Sequence, residues 1–193
     1  MSYCTLDDLK TYLGITSRDT DDALLYSIIT RAQQYIDTHC KRKFEASADT
    51  TKYLDAVEDV DGYVLYLGAA GDLCAITSVT NGDDTVLAAT DYVTQPRSYT
   101  PYHALRLLAS SGYTWTYDDD HENAITIVGK WAYSTSAPND IVQACVRLAA
   151  WFYHQKDNSA DLDRPVIAGN STILPARMPT DVMELLAPYR RLV

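Results

Sequence analysis

Apolar residues recur at three- and four-residue spacing between Thr20 and Phe44. Leu25, Ile28, Ile29, Ala32, Tyr35, Ile36 and Cys40 fall on one stripe, which predicts a single long amphipathic helix. Asp19 or Thr20 can accept a backbone N–H at its start, where Asp21 and Asp22 also suit the helix dipole. Lys41, Arg42 and Lys43 complement the dipole at the far end. A stripe of this length needs an apolar partner. The segment Ile141 to Tyr153 offers one, because Gln143 and Arg147, four apart on one face, are its only strongly polar side chains.

Shorter helices flank this pair. Thr5 with Asp8 reads as a capping box for a helix Leu6 to Leu13, stopped by Gly14. Pro138-Asn139-Asp140 suits the first turn of the helix that carries Ile141. A last helix, opened by Thr180 and carrying Val182, Met183, Leu185 and Leu186, ends at Pro188. Between Asp157 and Pro179 no periodicity is visible, and Pro165, Gly169, Pro175 and Pro179 predict a long loop.

After Phe44 the period changes to alternation. Strands are predicted at 52–57, 63–67, 73–80, 85–87, 91–95, 105–108 and 124–131, with Asn81-Gly82-Asp83-Asp84 as a tight turn that uses positive φ. Nine of the fifteen tyrosines lie in this middle region, as expected of half-buried strands with one wet face. The fold class is therefore α+β: a helical core built from both ends of the chain (1–44 and 136–193) with an inserted antiparallel β subdomain (45–135).

Charge sharpens that division. The net charge is −10 over 193 residues; the two end segments each hold six acidic and six basic side chains, while the middle holds fourteen against four. An acidic surface of this kind argues against tight nucleic-acid binding, which depends on phosphate neutralisation. No run approaches the roughly 20 apolar residues of a membrane span. The start, MSYCTLDDLK, shows no basic region before an apolar core, so no secretory signal is expected. Cys4, Cys40, Cys74 and Cys145 fit no metal or redox spacing and are expected to be reduced thiols.

Candidate chemistry is sparse. Asp118-Asp119-Asp120-His121-Glu122 is the one cluster resembling a metal or acid–base site, but consecutive residues converge on one ion only in a special loop, so it reads as an acidic turn. No nucleophile elbow, Walker motif or dinucleotide loop is present, and Gly68-Ala69-Ala70-Gly71 is too short for one. His39, His103, His121 and His154 stand in unrelated contexts. Neither an enzymatic activity nor a cofactor is expected.

Three segments together resemble the head–tail connector (adaptor or head-completion) proteins of long-tailed bacteriophages. They are Thr5-Leu6-Asp7-Asp8-Leu9-Lys10 with Tyr12-Leu13-Gly14-Ile15; Asp21-Asp22-Ala23-Leu24-Leu25 through Ala32, Tyr35-Ile36 and Lys41-Arg42-Lys43-Phe44; and Pro138-Asn139-Asp140-Ile141 through Trp151-Phe152-Tyr153, closed by Leu185-Leu186-Ala187-Pro188-Tyr189-Arg190. Many relatives join the second and third helices by a much shorter β segment, so the acidic insert is a departure. The resemblance implies a structural virion protein of the neck, made in the host cytoplasm. Copies would form a ring, expected to be dodecameric, that docks on the portal and receives a stopper or tail-completion protein. DNA would pass through its channel without specific binding, and no membrane is involved. The expected interaction elements are Val166, Ile167, Ile173 and Leu174 of the long loop and Tyr189, Arg190 and Arg191 of the tail. Two other readings stay open: a β-sandwich module binding sugar or peptide through its tyrosine-rich sheet, and a hydrolase using the Asp118–Glu122 carboxylates.

Overall fold

The computed structural model describes residues 2–15, 21–68, 70–155, 166–168, 171–173 and 179–191. The chain divides into two compact units, one of residues 2–41 with 138–193 and one of residues 42–137.

The first unit is helical. α1 (Leu6–Leu13) opens on the capping box: the Asp8 amide donates to Thr5 Oγ1 at 3.1 Å, and the Thr5 amide donates to Asp8 Oδ2 at 2.8 Å. Gly14 closes it at φ 69°, a conformation that glycine adopts without strain. α2 (Asp22–Cys40) buries Leu25, Ile28, Ile29, Ala32, Ile36 and Cys40, the stripe read from the sequence. Tyr35, assigned to the same stripe, is only half-buried and stacks on His39. The N-cap position is taken by Asp21, whose side chain does not cap but accepts from the Tyr153 hydroxyl at 3.0 Å; Asp19 and Thr20 lie outside the described residues. α2 therefore starts tied to the end of its partner rather than to itself.

That partner is α3 (Asn139–Gln155), which buries Ile141, Ala144, Cys145, Leu148 and Ala149 among others. Small residues on this face let the two helices approach closely. α4 (Thr180–Leu186) adds Val182 and Leu186 to the core and is held to α3 by an Arg147–Asp181 ion pair of 2.7 Å. Thr180 is the first helical residue, with Pro179 at the cap position, so the expected hydroxyl cap is not made. Lys10, nearly buried, pairs with Asp22 at 2.7 Å and so joins α1 to the start of α2.

The second unit is a β-sandwich. Eight strands make it: β1 (Thr50–Leu54), β2 (Val60–Asp61), β3 (Val64–Tyr66), β4 (Ala75–Thr80), β5 (Val86–Leu87), β6 (Tyr92–Gln95), β7 (Ala104–Leu107) and β8 (Ile125–Lys130). They form two antiparallel sheets, ordered β1-β8-β4-β5 and β2-β3-β7-β6. Leu54, Val79, Ile125 and Ile127 from one sheet and Leu65, Leu105 and Leu107 from the other share one core. Two tryptophans close it, each with its indole N–H satisfied at 3.0 Å: Trp115 by the Tyr63 carbonyl and Trp131 by the Thr50 carbonyl. The chain enters and leaves this unit side by side, the Tyr133 amide donating to the Lys43 carbonyl at 2.8 Å beside the buried Phe44 ring.

Two further details differ from the sequence reading. Gly82 is needed for close approach, since a Cβ there would sit 2.4 Å from the Thr116 carbonyl oxygen; the positive φ of that turn falls on Asp84 instead. Residues 157–179, expected to be a structureless loop, contain an antiparallel pair in the helical unit, β9 (Val166–Ala168) with β10 (Ser171–Ile173). The signal for it was Gly169-Asn170 between two short β-branched runs, a two-residue hairpin spacing.

Truncating Leu25, Ile36 or Leu148 to alanine is expected to cost about 2–5 kcal/mol in chemical denaturation. Phe152, also expected in the core, is half-buried beneath the Arg31 guanidinium at 5.0 Å, so Phe152→Ala should cost less than any of the three. Equal losses at Phe152 and Leu148 would contradict this packing.

Candidate functional site

The tail of the helical unit is fixed by its own chemistry. After α4, Ala187–Tyr189 form one 3-10 turn, and the Tyr189 hydroxyl donates to Asp140 Oδ2 at 3.0 Å. Asp140 lies in the first turn of α3, where the dipole favours a carboxylate. The Arg191 amide donates to the Cys40 carbonyl at the end of α2, at 3.0 Å. Tyr189 and Arg191 thus knit α2, α3 and α4 together, which leaves Arg190 as the exposed cation of the trio. Val166, Ile167 and Ile173 belong to the β9–β10 hairpin, with Ile173 directly opposite Val166. Leu174 lies outside the described residues.

The acidic run splits on folding. Asp118, Asp119, Asp120 and Glu122 are exposed, and Asp120 Oδ1 accepts the Glu122 amide at 3.3 Å. His121 turns away from them to Asp55, its Nδ1 lying 3.0 and 3.1 Å from the two carboxylate oxygens. Asp55 Oδ1 also accepts the amides of Val57 and Glu58, at 2.6 and 2.8 Å. The His121 carbonyl receives the Ala56 amide at 2.9 Å, so this cluster is a junction between two loops. Hydrogen bonding to Glu58 leads the forces that hold the Asp55 carboxyl below its usual range, and hydrogen bonding to Asp55 leads those that raise His121. Asp55 was missed in sequence because it stands 66 residues from His121. Among the described residues, no three His, Cys, Asp or Glu side chains converge as a metal site.

A groove of about 440 Å³ opens on the β unit beside β6, an edge strand. Ile76, Val93, Tyr92, Tyr102 and Arg97 line it. Burial raises the Tyr92 phenol above its ordinary value, so the hydroxyl stays protonated and available as a donor at neutral pH. Lys52 lies on β1, an edge strand of the other sheet, and its ammonium is committed to the Ala70 carbonyl and to the Trp131 ring, 4.6 Å from its centroid.

The arrangement is that of a scaffold with surfaces, and the comparisons agree. A model of the family described as head completion protein matches residues 3–192, covering both helical ends and the β unit. The chain belongs to the head completion protein family. This is a bacteriophage-type structural family, and the chain takes a structural role at the head–tail interface of the particle. Its fold is similar to that of a chain in the neck of an empty GTA particle computed with C6 symmetry, with a TM-score of 0.61 at 19% identity, covering 99% of this chain and 91% of that one. It is likewise similar to one in the neck of a native GTA particle computed with C12 symmetry, with a TM-score of 0.56 at 20% identity, covering 100% and 95%. A third, from the virion of a native gene transfer agent particle, gives 0.55 at 20% identity over 97% and 87%. No curated protein matches the chain.

In this head completion fold the Asp55–His121 pair predicts a stability window. A lowered Asp55 contributes above its unfolded value and loses that contribution as pH falls through its depressed folded value. A raised His121 contributes fully below its unfolded value and loses that as pH rises through its raised folded value. The pair is therefore fully effective between about pH 4 and 6.5. Melting curves should show wild type losing stability relative to His121→Gln as pH rises above about 6.5. Parallel curves over that range would contradict the assignment.

Proposed function

We propose that the chain is a ring-forming head–tail connector that docks on the portal and joins capsid to tail around the DNA channel. The observation that carries this reading is the family match across residues 3–192, which spans both units together. Necks of similar fold treated with sixfold and twelvefold symmetry support a ring, for which twelve copies is the proposed number. A closed ring needs heterologous contacts, in which one face of a subunit meets a different face of its neighbour. The partners are further copies, the portal, and a stopper or tail-completion protein. DNA passes without specific binding, in keeping with a β unit whose acidic residues outnumber its basic ones.

In this reading the helical ends are the connector core and residues 45–135 an appended acidic surface. The protein is not an enzyme: the exposed Asp118, Asp119, Asp120 and Glu122 serve as a solvated turn. The docking elements are the hairpin-bearing segment with Val166, Ile167, Ile173 and Leu174, and the tail with Tyr189, Arg190 and Arg191. Exposed Arg190 offers planar, charge-assisted contacts to carboxylates on an adjoining subunit. A second reading, a module that binds an extended peptide or a sugar, is favoured only by the groove between Tyr92, Tyr102 and Arg97.

Deleting residues 161–173 tests the docking assignment. The subunit should keep its melting point while portal-bearing heads no longer retain it. A variant that unfolds, or one that still joins heads to tails at full yield, would overturn it. Replacing Asp118, Asp119, Asp120 and Glu122 together by asparagine or glutamine should leave folding and particle assembly intact. Loss of a bound cation together with assembly would count against a purely structural protein.

A further inference from the structure

The four cysteines are buried, yet they are not equivalent. Cys4 Sγ lies 3.3 Å from Cys145 Sγ, although the two residues are 141 apart in sequence. Cys40 and Cys74 Sγ instead meet backbone carbonyls, of Leu186 at 4.0 Å and of Lys130 at 3.3 Å. Cys4 sits in a short irregular strap that ties three helices. Tyr3 bonds to Asp37 on α2, Cys4 meets Cys145 on α3, and Thr5 caps α1.

We propose that Cys4 and Cys145 are an oxidative modification site, a dithiol that closes to a disulfide and locks the N-terminal strap onto α3. A disulfide needs sulfurs about 2.05 Å apart, so the pair must close by little more than 1 Å. The irregular stretch that carries Cys4 lies outside helix and sheet, and such a segment supplies this motion by local opening. The same opening admits an oxidant to sulfurs that are otherwise shielded.

The co-reactant is a small-molecule disulfide of the glutathione class. The Cys4 thiolate attacks one of its sulfurs, forming a mixed disulfide and expelling one thiolate. Cys145 then loses its proton and displaces the second thiolate from Cys4. One Cys4–Cys145 bond forms, the oxidant's S–S bond breaks, and the two protons from the protein end on two reduced thiols. Cys4 is the fitting attacker. It sits on the irregular strap whose opening uncovers it, whereas Cys145 is held within α3 and acts second.

The lock extends the connector reading without depending on it. Assembly inside a reducing cytoplasm would find an open strap, and a particle released to an oxidising medium would carry a closed one. Because the bridge spans most of the chain, it removes much conformational freedom from the unfolded state.

The test uses the full chain, purified under reductant and then equilibrated with oxidised glutathione under native conditions. Thiols titrated after denaturation should fall from four to two, with intact mass lower by about 2 Da and one linked peptide containing Cys4 and Cys145. The melting temperature should rise by roughly 5–15 °C and return on reduction. Cys4→Ser and Cys145→Ser should each keep all three remaining thiols under the same treatment. Four titratable thiols in oxidised wild type, a stable glutathione adduct, a pair involving Cys40 or Cys74, or an unchanged melting point would overturn the proposal.

Discussion

The structure depends on the packing of α2 against α3. These helices come from opposite ends of the sequence, and in a protein most helical stability comes from packing of an amphipathic face rather than from propensity. α2 buries Leu25, Ile28, Ile29, Ala32 and Ile36, α3 buries Ile141, Ala144, Leu148 and Ala149, and the two helices pack together. The contact is non-local, so the loop-closure entropy of everything between them opposes it. Local ties then reinforce the pair at both ends. Tyr153 holds Asp21 at one end, and the Arg191 amide holds the Cys40 carbonyl at the other.

The inserted segment lowers that entropic cost by folding on itself. Lys43 and Tyr133 bring its two ends together through a backbone hydrogen bond, with Phe44 buried beside them. Arg42, which the sequence offers as a dipole partner at the end of α2, points into the β unit instead. It stands 3.4 Å from Asp72 with its guanidinium over the Tyr133 ring. A charge run at a helix end is divided between two jobs: Lys41 takes the left-handed cap at φ 55°, and Arg42 makes its contacts within the β unit. A sandwich core that closes with two hydrogen-bonded tryptophans gives the insert its own cohesion.

Much of this was legible in the residues because the signals are periodic. The α2 stripe, the capping box at Thr5 and Asp8, and seven of the eight sandwich strands each follow from local spacing. β2 was missed because two residues, Val60 and Asp61, carry no period. The β9–β10 hairpin was missed because Pro165 and Pro175 on either side of it suggest a loop and mask a spacing of two residues between short strands. Site features were less legible, since they join residues remote in sequence. Nothing local in Asp118–Glu122 shows that His121 leaves its acidic neighbours for Asp55. Nothing local at Cys4 shows that its sulfur meets Cys145, and nothing in Tyr189-Arg190-Arg191 shows that only Arg190 is left exposed. Family resemblance reached the function because order and spacing of helices survive when individual contacts cannot be read.

On the proposed reading, this chain completes the head as a ring on the portal. Cryo-electron microscopy of tailless heads, prepared with and without the chain, addresses it directly. A closed ring of density is expected on the portal, present only when the chain is supplied, with the α2–α3 pair recognisable in every subunit. Heads that reconstruct identically in both preparations, or density for the chain away from the portal vertex, would contradict it.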